Sequence, residues 1–434
     1  MQPWRVLRLH PHIGEIAGLV VDTNAWRRDP AGIDAGLRGR GHQAGDEVLR
    51  QVARLVKSTL REYDIFGRIG GEEFGIFLAQ TDRDTAVEVA ERLRQQIALR
   101  ASRLDRKVPL WLKTDFRELV LDGDRVIGVR VMREGRELTL MARRGVILGA
   151  GGFEQNQALR EKYLPQPTKV EWSATPPGNN TGAALEAGMA AGAATDLLEW
   201  AWWAPTIAVV GEDKPRGVFA ERAFPGAIVV NALGKRFCNE AQGYLEFGDA
   251  MYKDREATGG KNVPAWCIFD AHFRFNYAMG PLMPAQIMPD SRLRKEWLGS
   301  VYWKADTLEE LARQIGVDPA GLKDTVAKMN GYARSGKDAD FGRGDNVFDR
   351  YYGDVNVKPN PCLAPVQKGP FYAMRMDAGD IGTKGGLLTD AQARVVRPDG
   401  SAIEGLYAIG NTSASVMGTA YPGAGATIGP AMTF

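Results

Sequence analysis

The chain has 434 residues, 44% of them hydrophobic and 25% charged, with a formal net charge of +2. That length predicts two to four domains with ample core, at about 100–200 residues per domain. The near-neutral charge gives no reason to expect nucleic acid or an anionic membrane as partner. Cys238, Cys267 and Cys362 are odd in number and far apart, so neither a disulfide framework nor a Cys-x-x-Cys metal pattern follows, and a reducing, cytoplasmic setting is expected.

The N-terminus lacks an apolar run with a small-residue cleavage site, and no window approaches 18 charge-free apolar residues. Neither a secretion signal nor a transmembrane helix is expected. His10, His12, His42 and His272 make no metal-ligand cluster. Leu19–Val21 reads as a short strand broken by Trp26-Arg27-Arg28-Asp29-Pro30. The rest of residues 1–40 has no periodicity and receives no function.

From Gly41 an amphipathic helix is predicted, with Val48, Leu49, Val52, Leu55 and Val56 on one stripe. A hairpin follows, turning at Gly70-Gly71-Glu72-Glu73, and then a charged helix over residues 81–98. Adjacent carboxylates at a Gly-Gly tip suit divalent-metal and phosphate chemistry, although a solvated acidic turn is the commoner meaning. Gly41-His42, Gly45 to Leu49, Arg68 and Gly70 to Phe74 resemble the central part of a GGDEF (diguanylate cyclase) domain. That resemblance implies Glu73 as a metal ligand, Glu72 as part of the catalytic signature, and Arg61 and Asp64 as a product-inhibition site. Mg²⁺ and GTP would be its cofactor and substrate. The segment before Gly41 and the later strands of such a domain are not matched, so an inactive fragment is expected.

Beyond about Arg100 the pattern changes. Val108–Leu112 reads as a strand, and further strands are separated by the turn-formers Asp122-Gly123-Asp124 and Glu134-Gly135. Val146–Leu148 is a buried-type strand entering Gly149-Ala150-Gly151-Gly152 ahead of a helix-forming run. This is dinucleotide-type geometry without Gly-x-Gly-x-x-Gly. Asn180-Thr181-Gly182 opens another helix, and Trp200, Trp202 and Trp203 could wall a flat ligand or form an aromatic core. Residues 226–252 read as a buried strand, a turn and a polar loop. Residues 305–336 read as two helices of a lid or cap: a Thr307 capping box, a Gly316 C-cap, then Asp318-Pro319 as the next N-cap and N1. Residues 369–411 return to β-structure.

The tail, 405–434, has a short strand ending at Gly410-Asn411, then Tyr421-Pro422-Gly423-Ala424-Gly425 and a helix start. Its glycines leave main-chain N–H groups open to a flat or anionic ligand, and a tyrosine hydroxyl there could polarise a carbonyl oxygen.

Six motifs lie in order over residues 100–434: RGVILGAGGFEQN, the Asn180-Thr181-Gly182 turn, VNALGKRFCNE, GTKGGL, GLYAIGN and YPGAGATIGPAMTF. Together they resemble the FAD-dependent fumarate reductase and succinate dehydrogenase flavoprotein superfamily. Within it the 3-ketosteroid dehydrogenase branch fits best. Gly382-Thr383-Lys384-Gly385-Gly386 stands where the fumarate branch has His-Thr-x-Gly-Gly, without the histidine, and Tyr244 follows Asn239-Glu240 where that branch has an arginine acid.

The resemblance implies FAD as cofactor and a hydrophobic ketone or steroid as substrate. FAD would be held by Ala150, Gly151, Gly152, Asn180, Thr181, Gly182, Gly410, Asn411, Ala426, Thr427 and Ile428. Tyr421 and the Gly425 N–H would bind the ketone oxygen, Tyr244 would remove the α-proton, and flavin N5 would take the hydride. Tyr244 would need a nearby donor or dipole to act as base, and it must lie within one small molecule's reach of Tyr421–Gly425.

The expected fold class is α/β and α+β: a partial, Rossmann-like FAD-binding domain without its Gly-x-Gly-x-x-Gly half, carrying an inserted α+β substrate or cap domain and preceded by the partial GGDEF α/β fragment. The expected divisions are 1–40 unassigned, 41–99 GGDEF-like, 100–204 FAD-binding, 205–370 substrate-binding and 371–434 the return to the FAD domain. Loss of the pyrophosphate cradle implies an impaired or inactive flavoenzyme, and a chimera of two truncated genes is expected.

Overall fold

The computed structural model describes residues 7–13, 16–22, 56–57, 60, 65–70, 73–79, 111–423 and 425–433. Strands β1 (Leu7–Ile13), β2 (Ile16–Asp22), β3 (Ile65–Gly70) and β4 (Glu73–Ala79) form an antiparallel sheet in the order β1-β2-β4-β3. The expected hairpin is β3–β4, and β2 contains the short strand read at Leu19–Val21. The backbone register sets Asp22 opposite Glu73. Arg61, Asp64, Glu72 and the helix expected over 81–98 lie outside the described residues.

Strands β5 (Thr114–Asp122), β6 (Arg125–Arg133) and β7 (Arg136–Met141) form a meander. It turns at Gly123 and Gly135, both at positive φ, where glycine carries no steric cost. Trp111 and Leu112 are not the end of a strand. Lys113, at φ 51°, turns the chain there, and the Arg133 guanidinium covers the exposed Trp111 ring at 4.4 Å.

Strand β8 (Val146–Leu148) leads through the glycine loop to helix α1 (Gln157–Tyr163), whose N-cap Asn156 accepts from Leu159 N–H at 3.2 Å. Helix α2 (Ala183–Ala190) is entered through Gly182 at φ 81°. Four short strands follow: β9 (Thr195–Asp196), β10 (Ala201–Trp203), β11 (Thr206–Ile207) and β12 (Arg216–Gly217).

The next layer holds β13 (Ala227–Val230), α3 (Tyr244–Ala257), β14 (Ala265–Asp270), α4 (Ala271–Asn276) and β15 (Trp303–Ala305). Helices α5 (Leu308–Ile315), α6 (Pro319–Ser335) and α7 (Val347–Tyr351) precede β16 (Phe371–Met376). Residues 244–252, read as loop, are the first turns of α3. Their apolar residues Leu245, Phe247, Gly248, Met251 and Tyr252 fall at helical spacing and are buried.

Strands β13, β14, β16 and β15 make an antiparallel sheet whose two faces serve two cores. Ala227, Val229, Cys267, Phe269, Tyr372 and Met374 face the larger core, which also contains Trp202, Trp203 and Phe247. Ile228, Val230, Ile268 and Ala373 face α5 and α6 through Leu311, Leu322 and Val326. The side-chain period of two assigns each residue to its face. Helices α5 and α6 therefore back the sheet. Their caps match the expectation: Thr307 accepts from Glu310 N–H at 3.2 Å, Gly316 sits at φ 70°, and Asp318 accepts from Ala320 and Gly321 N–H.

The chain returns through β17 (Asp380–Thr383), β18 (Gly386–Leu387), β19 (Arg394–Val396) and β20 (Ala402–Ala408), ending in α8 (Ile428–Thr433). β17 pairs with β10 and β18 with β9, while β20 lies between β19 and β8, parallel to β8. Tail and early segment thus share one sheet. All three cysteines are buried with free thiols. No helix among the described residues is long and apolar enough to cross a membrane.

Candidate active site

Because β8 and β20 run parallel, their carboxyl ends release two loops side by side, the position where open α/β sheets take ligands. Ile409 N–H donates to the Leu148 carbonyl, and the Thr412 hydroxyl to the Gly151 carbonyl, both at 2.9 Å. Gly182 N–H donates to the Gly152 carbonyl at 3.1 Å, and Gln155 N–H to the Asn180 carbonyl at 3.2 Å. Ala150, Gly151 and Gly152 are thereby tied to Asn180-Thr181-Gly182 and to the loop after Asn411.

The glycines divide into two kinds. A Cβ on Gly151 would strike the Asn180 carboxamide, and one on Gly152 the Thr383 hydroxyl, so the protein's own packing demands them. At Gly423, Gly425 and Gly429 a Cβ would meet nothing within 4 Å. Gly423 and Gly425, at φ 131° and 91°, leave their backbone bare for conformational reasons and beside open space.

A cavity of about 210 Å³ lies between Gly410-Asn411, Ser413–Val416 and Ala426-Thr427, with Trp202 on one wall. Among the described residues Asp390 is the one charged side chain in a lining of mostly small and hydroxyl residues. Such a lining, next to bare main chain, fits a flat heteroaromatic ring recognised through backbone groups. Ile428 follows directly as the first residue of α8.

Beneath the glycine loop Glu154 is fully buried. It accepts from Asn180 Nδ2 at 2.5 Å and from Thr383 N–H at 3.2 Å. Burial, with Asp380 nearby, pushes its pKa up to about 7. Asp380 itself is paired with the buried Arg160 at 2.7 Å and accepts from Ser173 at 2.7 Å.

On the other side, Tyr244 is the first residue of α3, whose N-cap is Gly243, and the Asn239-Glu240 motif lies just ahead of it. Glu240 is fully buried and takes a bidentate bond from Arg236, with both contacts at 2.7 Å, and a third from Arg343 at 3.2 Å. Asn239 Nδ2 donates to Asp349 at 2.8 Å, and its Oδ1 accepts from Ala241 N–H at 2.8 Å. One charged anchor, Glu240, and one neutral polar anchor, Asn239, therefore stand four and five residues before the tyrosine.

The Tyr244 hydroxyl donates to the Tyr421 hydroxyl, with ring centroids 5.0 Å apart. The reach required between residue 244 and the tail corner is met by direct contact. Phe219 packs edge-on to Tyr244 at 5.0 Å, and the two tyrosines open on a cavity of about 230 Å³ that Phe348 and Tyr352 also line. Burial foremost, then the bond to Tyr421, pushes the Tyr244 phenol well above its usual range. This is opposite to the help a base was expected to receive.

Trp202 lines the first cavity, and its ring lies edge-on to Tyr421, 5.4 Å away, which lines the second. It is thus both core and partition, while Trp203 is core, packed on Tyr252. Phe219, Phe348 and Tyr352 carried no motif in the sequence. Lys384 stands inside GTKGGL, at a position to which the motif assigns no role.

The chain is matched over residues 21–428 by the family model of the FAD binding domain. It is 46% identical over 336 residues to a 3-oxosteroid 1-dehydrogenase of Mycolicibacterium smegmatis, an alignment covering 75% of this chain and 58% of that protein. It is 38% identical over 319 residues to a 4-oxocyclohexanecarboxylate 2-dehydrogenase of Sinomonas cyclohexanicum, covering 72% of this chain and 53% of that one. The chain thus spans little more than half the length of these relatives. Among solved structures it is similar to the 3-ketosteroid delta1-dehydrogenase from Sterolibacterium denitrificans in complex with 1,4-androstadiene-3,17-dione. There the identity is 63% and the TM-score 0.74, covering 77% of this chain and 60% of that one. The chain belongs to the FAD-binding domain family, and FAD is its cofactor.

Proposed function

We propose that the chain is a flavin-dependent dehydrogenase of the 3-ketosteroid type, acting on the bond α,β to a ring ketone in a hydrophobic, steroid-like substrate. The observation that carries this reading is the contact between the Tyr244 and Tyr421 hydroxyls, in a cavity separated by Trp202 from the one that fits a flavin. The named relatives act on ring ketones.

The residues divide the work as follows. Tyr421 accepts a hydrogen bond from the protonated Tyr244 phenol, and its own O–H would donate to the ketone oxygen, with the Gly425 N–H as second donor. Both stabilise charge that develops as the adjacent C–H proton leaves. Tyr244, once its own phenol proton has passed to solvent, takes that C–H proton, and Phe219 and Phe348 line the cavity beside it. FAD, when bound, supplies the two-electron acceptor. Ala150–Gly152, Asn180–Gly182, Gly410-Asn411 and Ala426–Ile428 would hold it, while residues 205–370 would supply the substrate side.

The test is a purified preparation of the whole chain. A yellow protein whose flavin absorbance bleaches on anaerobic addition of a 3-oxosteroid supports the reading. A yellow protein that no ring ketone bleaches sinks it, and a colourless one silent in every assay favours a non-catalytic remnant.

A second reading, nucleotide binding by a GGDEF-like segment, draws on the β3–β4 hairpin and the register that sets Asp22 across from Glu73. Saturable GTP or cyclic-di-GMP binding, lost in Arg61→Ala, would favour it.

A further inference from the structure

We propose that Lys384 is a positioning residue for the ketone-binding corner, anchoring the segment that carries Tyr421 from inside the core. The inference rests on the dehydrogenase reading above.

The Lys384 side chain is fully buried. Its Nζ donates to the carbonyl of Ala420, the residue before Tyr421, at 2.5 Å, and stands 4.3 Å from the centroid of the Trp202 ring. Trp202 in turn packs edge-on against Tyr421 and donates from Nε1 to Asn411 Oδ1 at 3.0 Å. One ammonium therefore holds both the covalent neighbour and the ring neighbour of the proposed donor. Its own backbone is fixed on both sides: its N–H donates to the Trp200 carbonyl at 2.9 Å, and its carbonyl accepts from Ser415 N–H at 3.1 Å.

The corner needs such an anchor. Ala420 and Pro422 are exposed, and Gly423 and Gly425 have no neighbour within reach of a Cβ. A buried ammonium is retained only where its donors and charge are used, and a ring face is one place to use them.

The titratable group acting on Lys384 is Glu246, from the first turn of α3. Burial lowers the Lys384 pKa to about 8, with Glu246 pulling it back up. The anchor is thus charged below that pH and neutral above it.

The experiment compares the whole flavin-loaded chain with Lys384→Met and Lys384→Arg, reading kcat and KM for a 3-oxosteroid across neutral to alkaline pH. In the unsubstituted chain kcat rises with pH as the Tyr244 phenol ionises. It then bends to a plateau near pH 8, where loss of the ammonium cancels the gain. In Lys384→Arg, whose cation persists, the rise continues past the bend. In Lys384→Met, kcat falls about ten- to a hundredfold, the scale of a misplaced reacting group, with KM little changed. A bend common to all three proteins, or a Lys384→Met kcat within about twofold of the parent, overturns the inference.

If the unsubstituted chain oxidises no ring ketone, the dehydrogenase reading fails, and the anchor is judged separately by equilibrium binding of 2-naphthol, a planar ring phenol that mimics the enol-like state rather than the ground-state ketone, followed by its fluorescence. Binding about tenfold weaker in Lys384→Met supports the anchor, and equal binding overturns it.

Discussion

Tyr244 and Tyr421 meet hydroxyl to hydroxyl, so removing either oxygen should expose a different half of the chemistry. Tyr421→Phe deletes a donor to the ketone oxygen and should lower kcat about 10²–10³-fold. Tyr244→Phe deletes the base and should lower it about 10²–10⁴-fold. Flavin absorbance should survive both changes, and stopped-flow reduction by a ketosteroid measures the loss. Glu154 makes a second residue-scale prediction. Its folded pKa is raised from 4.5 to about 7, so between those values the folded protein keeps a proton that the unfolded chain has released. Stability should therefore fall as pH rises through that window, by about 3 kcal/mol at most. Glu154→Gln should flatten the slope, as seen in urea midpoints taken at either end of the window.

Elements were legible where local chemistry dictates them. Helices α5 and α6 start and stop at their expected caps because Thr307, Asp318 and Gly316 act through bonds to their own turns. Thr307→Ala should accordingly cost about 1 kcal/mol, read from chemical denaturation. Their role was less legible. Nothing within residues 305–336 announces that the apolar stripe meets Ile228, Ile268 and Ala373 on the back of a sheet. Helix α3 was misread because its first turn is polar outside its buried stripe and it lacks a side-chain N-cap. The tail corner and the Asn239-Glu240-to-Tyr244 spacing were readable as motifs, and the structure brings them together across 177 positions. Trp202 as partition and Lys384 as anchor were not readable, since each acts through contacts with residues distant in the chain.

At the scale of the molecule, the ion cluster around Glu240 couples the sheet to the segment before α7. Arg236 bridges Glu240 and Asp338, while Arg343 reaches Glu240, the Ala227 carbonyl at 2.7 Å and the Phe224 carbonyl at 2.9 Å. Glu240→Gln would leave the buried Arg343 guanidinium without its counter-charge and Arg236 with Asp338 alone, and should cost about 3–5 kcal/mol by equilibrium unfolding. The arginines hold the Glu240 pKa below its usual value, although burial opposes them. Its contribution is therefore present above pH 4.5 and is lost as acid titrates it below, a limb that the glutamine variant should lack.

The sheet of β13, β14 and β16 separates the tyrosines' core from the helical backing by one side chain on each face. A saturation scan along residues 265–270 and 371–376 should therefore return two interleaved records. Changes at Cys267, Phe269, Tyr372 and Met374 would alter turnover among correctly folded molecules. Changes at Ile268 and Ala373 would alter only how much soluble protein accumulates, so that neighbouring codons report on different phenotypes.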